Sequence, residues 1–389
     1  MMRSTLLLLL MTATVSQAAE GALLDSMDEM RFTSPKEKAS AELVEGKVGK
    51  AVRFRFEKDA RSQFFLSKIR GTAAWDQAAG FSFWVRGNGP SDQFAGLQCI
   101  YDNDYAVRYD LCFPVKAGAW TKVTVAWEDL IPVLPGPRSL PLSVPDQPPS
   151  KISALWIGKW WYWGDYPALD FTIDEIRLEP SIPQPKLAPV PTGDPLARVK
   201  AKLRKGEPIR IVTMGDSLTD PRHHANRKTN WPTLLTEKLK GATVTNPAIG
   251  GTQLRQNLVL MPRWLAETPR PDLVTVWFGG NDWESGMRGP EFERSCIEAV
   301  RRIRQATGAE VVLMTTAPSA DAHRTEPLAV AVRSAAKAEN AALLEIAADW
   351  VALPKAEREG LFISDKVHLS PAGHQRVMTA LTALFRPTE

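Results

Sequence analysis

Between about residues 24 and 180, apolar and polar side chains alternate with a period of two in short stretches rich in β-branched and aromatic residues: KAVRFRFEK, GFSFWVRGNG, GLQCIYDND, YAVRYDLCF, WTKVTVAW and FTIDEIRLE. Gly, Asn, Asp and Pro separate them. Strands with one buried face, broken by turns at short intervals, build two-sheet structures, so this half is expected to be a β-sandwich of jelly-roll type. Closely spaced prolines follow in PSIPQPKLAPVPTGDP, which excludes helix and favours an extended linker. After Gly206 the rhythm changes. The apolar strands IRIVTM, ATVTNPAI, DLVTVWF and EVVLMTT alternate with helical patterns in NWPTLLTEKLKG and over 256–267, 290–306, 327–341 and 371–385. That order predicts a three-layer α/β unit with a parallel sheet covered on both faces, in which chemistry belongs at the carboxyl ends of the strands. The expected organisation is a leader over 1–18, a sandwich over 19–180, a proline-rich linker over 181–206 and the α/β unit over 207–389.

The leader is read from Arg3, the apolar run from Leu6 to Met11 and the small residues Ser16 and Ala18, a layout that fits a cleaved export signal. The run is well short of the roughly 20 residues needed to cross a bilayer, and a secreted or periplasmic location without stable membrane insertion is expected. Across 389 residues, 44% hydrophobic and 24% charged residues describe a globular chain, and a net charge of +4 without a basic block interleaved with aromatics argues against a nucleic-acid partner. Three cysteines leave at least one unpaired. Cys99 and Cys112 flank the turn at Asp102-Asn103-Asp104, which makes a disulfide across a hairpin conceivable; Cys296, in a helical pattern with Phe292 and Val300, reads as a small buried hydrophobe.

Four short motifs stand after strands or at helix entrances. Gly215-Asp216-Ser217-Leu218 ends the first strand of the α/β unit and leads into an expected helix, where Ser217 is either a nucleophile or a helix cap. Asp365-Lys366-Val367-His368 precedes Ser370 and Pro371, which suit the N-cap and first position of the last helix. A carboxylate three residues before a histidine can hold one ring nitrogen and leave the other to take a proton from a serine, although an accidental surface pair has the same spacing. Asn246 to Thr252 and Gly279-Gly280-Asn281-Asp282 follow the second and third strands; both fit oxyanion binding and both fit ordinary turns. The histidines His223, His224, His323 and His374 do not form zinc spacings with Cys or carboxylates, so no metal and no cofactor is expected.

Taken together, the segment from Pro208 to Phe385 resembles the SGNH hydrolases, also called GDSL-like esterases. The resemblance implies Ser217 as nucleophile, His368 as general base and then acid, and Asp365 as its orienting partner. It also implies an oxyanion hole made of the backbone N–H groups of Ser217 and Gly251 with the Asn281 amide. Ala248, where many members have glycine, departs from the pattern.

The first half resembles the galactose-binding-like jelly rolls of carbohydrate-binding modules through GFSFWVRGNG, AGAWTKVTVAWEDL and FTIDEIRLE. In ALWIGKWWYW, alternation would place Trp156, Trp160 and Tyr162 on one face and Trp161 and Trp163 on the other, so one aromatic set is expected to reach solvent or to pack on the second unit. A jelly roll before an SGNH unit resembles the second carbohydrate esterase family, whose members often lack the aspartate that Asp365 supplies. The leading expectation is a secreted carbohydrate O-acetylesterase acting on an acetylated polysaccharide or oligosaccharide, with Trp283, His223, Trp160 and Tyr162 as candidate substrate contacts. The rival readings are a lipid or thioester hydrolase and a non-catalytic polysaccharide-binding protein.

Overall fold

The computed structural model describes residues 21–386 except 34–36, 62, 185, 223–227 and 320–324. The expected leader over 1–18 and the candidate contact His223 lie outside the described residues.

Two six-stranded antiparallel sheets form the first half. One runs in the order Ala39–Glu45, Lys50–Phe56, Leu169–Glu179, Gly80–Gly87, Thr121–Ala126, with Leu23–Asp25 also paired to Leu169–Glu179. The other runs Ile131–Pro132, Asp104–Val115, Gln93–Tyr101, Ile152–Lys159, Gln63–Ser67, Phe32–Thr33. Alternation decides what meets what: Val52, Phe54 and Phe56 enter the core, while Arg53 pairs with Asp170 and Arg55 with Glu42 outside it. Phe54 meets Phe65 edge-on at 5.0 Å and Phe83 meets Phe113 at 5.1 Å, joining the two sheets through their aromatic layer.

The hairpin between Gln93–Tyr101 and Asp104–Val115 turns at Asp102 and Asn103, with φ of 57° and 56°. Its register sets Cys99 opposite Tyr109 and Cys112 opposite Gly96. The two thiols are therefore on opposite faces of the sheet and cannot bridge; all three cysteines are free and buried.

The second half is a five-stranded parallel sheet in the order Ala242–Thr245, Ile209–Gly215, Leu273–Trp277, Glu310–Met314, Ala342–Leu344. The chain moves to one side after Ile209–Gly215 and to the other afterwards, which opens a crevice between that strand and Leu273–Trp277 at their carboxyl ends. Every residue of Leu273–Trp277 is buried, as a central strand covered on both faces must be. The helix Gly289–Thr307 carries Pro290 in its first turn, ends on Gly308 in the left-handed region and buries Phe292, Cys296, Ala299, Val300 and Ile303. No described helix is long and apolar enough to cross a membrane.

Two features go beyond the sequence pattern. A helix, Ala197–Arg204, lies inside the expected linker, and Leu196 and Val199 join the core beside Ile209, Ile211 and Leu273. The two halves also share a core. Cys112, Ile131, Val133, Trp160, Tyr162 and Trp163 of the sandwich belong to one apolar cluster with Leu254, Val259, Leu260 and Trp264 of the α/β unit. Buried Arg255 donates across this seam to the Pro132 carbonyl at 3.1 Å and to Ser139 Oγ at 2.5 Å, and Arg302 donates to the Glu128 carbonyl at 2.8 Å.

Candidate active site

Parallel pairing puts Gly215 directly beside Trp277, so the residues that follow each strand emerge together at the mouth of the crevice. Gly215 has to be glycine there, because a Cβ would stand 2.2 Å from Thr219 Oγ1. The chain then folds back on itself. Thr219 and Asp220 N–H donate to the Asp216 carbonyl at 3.0 and 2.9 Å, and Leu218 N–H donates to Asp216 Oδ1 at 3.0 Å. The helix expected immediately after Ser217 is replaced by this turn, and the next described helix starts at Trp231, so Ser217 caps nothing. Its hydroxyl projects from the turn to His368.

His368 Nε2 lies 2.8 Å from Ser217 Oγ, and its Nδ1 lies 2.8 Å from Asp365 Oδ2. The loop holds this line from within: Phe362 bridges Leu369, Ile363 N–H donates to the His368 carbonyl at 2.8 Å, and Lys366 takes φ 61°. Asp365 Oδ1 accepts the N–H groups of Val367 and His368, each at 2.9 Å. Partial desolvation works against the Asp365 carboxylate, but those hydrogen bonds and the imidazole outweigh it and draw it down to about 2. Ser370 Oγ accepts the Gly373 N–H at 3.2 Å and Pro371 opens the last helix, which anchors the loop from behind.

The second loop is stapled to the first. Ile249 N–H donates to the Gly215 carbonyl at 3.3 Å and Gly250 N–H to Asp220 Oδ2 at 2.8 Å. Arg222 clamps Asp220 through Nε at 2.9 Å and reaches the Ala248 carbonyl at 3.0 Å, so the departure at Ala248 sits in a fixed loop. Gly251 takes φ 78°. The Asn281 amide donates to the Thr252 carbonyl at 3.0 Å and approaches Asp216 Oδ2 at 3.4 Å, tying the third loop to the other two. Gly279, φ 130°, admits no side chain because a Cβ would meet Thr316 Oγ1 at 2.1 Å.

Two carboxyls beneath these loops were not singled out from sequence. Burial pushes Asp216 up to about 6 and Asp282 up to about 7, the latter helped by its proximity to Asp216 and opposed by the Leu254 N–H. A cavity of about 280 Å³ opens beside Ser217, walled by Leu218, Trp277, Phe278, Thr316 and Val367, with Glu284 and Ser319 among the polar groups that line it. Its fourth-strand side, Thr316 to Ser319, obeys the rule that chemistry follows strands, and the sequence reading passed over it.

The candidate substrate contacts fare differently. Trp160 and Tyr162 are 1% and 0% exposed and cannot stack on a sugar. The strand stops at Lys159, so alternation ends there, and Trp160 stacks on Tyr162 at 5.2 Å and Trp163 at 5.6 Å inside the shared core. Tyr162 donates to buried Asp110 at 2.5 Å. Trp283 is half-buried under the Arg288 guanidinium at 4.1 Å and does not line the cavity. Buried His374 accepts the Trp231 N–H at 3.4 Å, outside the Ser217 line. Among the described residues, no three His, Cys, Asp or Glu side chains form a group that could hold a metal ion.

Residues 213–376, which contain all of these loops, match the model of the GDSL-like lipase/acylhydrolase family. The match marks this segment as GDSL-like. The GDSL-like segment is similar in solved structures to a lipase/acylhydrolase from Enterococcus faecalis, at 16% identity and TM-score 0.39, over 46% of this chain and 99% of that one. It is also similar to an acetylxylan esterase from Geobacillus stearothermophilus, at 20% identity and TM-score 0.36, over 46% and 95%. A third is TesA, at 22% identity and TM-score 0.40, over 46% and 98%. No curated protein matches the chain.

Proposed function

We propose that this chain is an exported serine esterase that removes acetyl groups from carbohydrate. The observation that carries the chemistry is the unbroken hydrogen-bond line from Ser217 Oγ through His368 to Asp365, at 2.8 Å on both sides of the ring. In this reading His368 Nε2 takes the hydroxyl proton as Ser217 Oγ attacks the ester carbonyl. The oxyanion is met by the N–H groups of Ser217 and Gly251 and by the Asn281 amide. The proton then passes to the departing sugar oxygen, leaving an acetyl-enzyme. Water, deprotonated by the same nitrogen, attacks the acyl carbon; acetate leaves and the proton returns to Ser217.

The preference for a short acyl group and a polar alcohol rests on the cavity. Its lining sets Asn281, Glu284 and Ser319 among the apolar Leu218, Trp277, Phe278 and Val367, so an alkyl chain that filled its volume of about 280 Å³ would desolvate those three polar groups without replacing their hydrogen bonds. The test compares 4-nitrophenyl acetate, 4-nitrophenyl dodecanoate and an acetylated polysaccharide, with Ser217→Ala as the blank. Acetate should be released from the first and third and abolished in the variant. Faster turnover of the dodecanoate would assign the chain to lipids, and full activity of Ser217→Ala would remove this mechanism. Export is tested separately: the mature protein should begin just after Ala18.

A further inference from the structure

The turn that carries the sandwich's aromatic run reaches the oxyanion loop. A methyl group built on Gly251 would come 3.9 Å from both Cζ3 and Cη2 of Trp161, and one built on Gly164 would come 3.1 Å from Ile249 Cδ1 and 3.5 Å from Arg222 Nη1. Of the four consecutive aromatics, Trp160, Tyr162 and Trp163 are buried and Trp161 alone faces solvent, at 44% exposure. An isolated exposed aromatic ordinarily needs no explanation. This one has an unusual address: it belongs to one half of the molecule and faces a glycine in the proposed catalytic loops of the other, where any side chain would touch it.

Its backbone is fixed from several sides. Tyr166 donates its hydroxyl to the Trp161 carbonyl at 2.6 Å, and Arg263 donates to the Trp163 carbonyl at 2.6 Å while its guanidinium lies 4.8 Å over the Trp163 ring. The indole is thus a partly wet plane carried on an anchored backbone and facing Gly251. The same turn carries the exposed Asp165, and its Gly164 faces the half-exposed Arg222 guanidinium, which Asp220 holds. A pyranose offers what the place wants: a C–H face for the indole and a rim of hydroxyls for the charged groups.

We propose that the sandwich completes the catalytic cleft, with Trp161 stacking on the sugar ring whose acetyl ester is cut. The assignment rests on the carbohydrate acetylesterase reading. Trp161 is a specificity residue and takes no part in proton transfer.

The experiment uses the full chain with Trp161→Ala and Trp161→Phe, assayed on 4-nitrophenyl acetate and on peracetylated methyl glucopyranoside. Because the ring is exposed, both variants should melt within a few degrees of the parent. Trp161→Ala should raise KM for the sugar ester about five- to ten-fold with kcat largely held, while kcat/KM for the nitrophenyl ester changes at most two-fold. Trp161→Phe should recover most of the loss. An equal fall on both esters would make Trp161 a prop for the oxyanion loop and overturn the proposal, as would an unchanged KM for the sugar ester. If the parent protein cleaves nitrophenyl acetate but not the sugar ester, the carbohydrate reading itself fails, without reference to either variant.

Discussion

Replacing Asp365 with asparagine isolates the outer half of the proton line. The substitution keeps size and shape, so the side-chain oxygen can still accept the Val367 and His368 N–H groups that now bond Oδ1 at 2.9 Å. What changes is the partner of the ring. An amide NH₂ facing Nδ1 favours the tautomer with the proton on Nε2, the nitrogen that must accept from Ser217, and it removes the charge that would face the imidazolium. Coulomb's law for the 2.8 Å contact gives about 6 kcal/mol at an effective dielectric of 20 and about 1.5 kcal/mol in water. The two side chains are 22% and 37% exposed, so solvent screens much of this. A loss of about 3–4 kcal/mol from the transition state corresponds to a fall of roughly 10²–10³ in kcat. The assay is steady-state and pre-steady-state release of nitrophenol from 4-nitrophenyl acetate, with thermal melting to show that the loop survives. A kcat within ten-fold of the parent, in a protein with unchanged melting, would refute the orienting role of Asp365.

Asn281→Ala should lower kcat roughly 10²–10³-fold with little change in KM, read from the same ester kinetics, because the oxyanion donor proposed at this position would act on the transition state. Trp160→Ala, which empties a fully buried indole site between the two halves, should cost about 3–5 kcal/mol in denaturant unfolding. A chain started at Ala197 uncovers Leu254, Val259, Leu260 and Trp264 and should run as aggregates on size exclusion; a monodisperse, fully active fragment would contradict the shared core. Burial depresses His374 to about 4, so it stays neutral when folded, whereas the unfolded residue takes a proton near pH 6.5. Stability should therefore decline as pH falls from about 6.5 to about 4, by up to about 3 kcal/mol, and His374→Gln should flatten that slope in urea titrations.

How far the sequence could be read depended on whether local pattern or long-range register set each feature. The long central strands of the sandwich and the strands from Ile209 to Met314 announce themselves because burial on one face or on both imposes period-two or continuous apolar runs, whereas the short or outer strands Leu23–Asp25, Phe32–Thr33, Ala39–Glu45, Gln63–Ser67 and Ile131–Pro132 do not. Ala342–Leu344 is only three residues long and leaves no pattern. Half of the helix Ala197–Arg204 is Lys and Arg, and only Val199 in it and Leu196 beside it are fully buried, so after the prolines that precede it the segment reads as linker. The Cys99 and Cys112 pairing depended on hairpin register, which a two-residue turn at Asp102-Asn103 fixed with the thiols on opposite faces. Alternation extended beyond Lys159 misplaces the tryptophan run, because Trp161–Trp163 forms a 3₁₀ turn that buries Tyr162 and Trp163 and turns Trp161 outward. At the site, the motif residues were legible because three of the motifs follow strands and the fourth, Asp365 to His368, stands at the entrance of the last helix. The Thr316 wall and the buried Asp216 and Asp282 carboxyls were not, since depth beneath a loop has no sequence signature.

The buried seam also bears on how the molecule comes apart. The sheet containing Gln93–Tyr101 and Asp104–Val115 presses one face on the sandwich interior and the other on Val259, Leu260 and Trp264. Melting either half alone would strip that sheet of one cover and leave the Arg255 guanidinium, now bonded to Pro132 and Ser139, buried beside lost acceptors or newly hydrated. Despite a proline-rich connection of the kind that ordinarily lets domains denature independently, calorimetry should record one transition whose van't Hoff and calorimetric enthalpies agree.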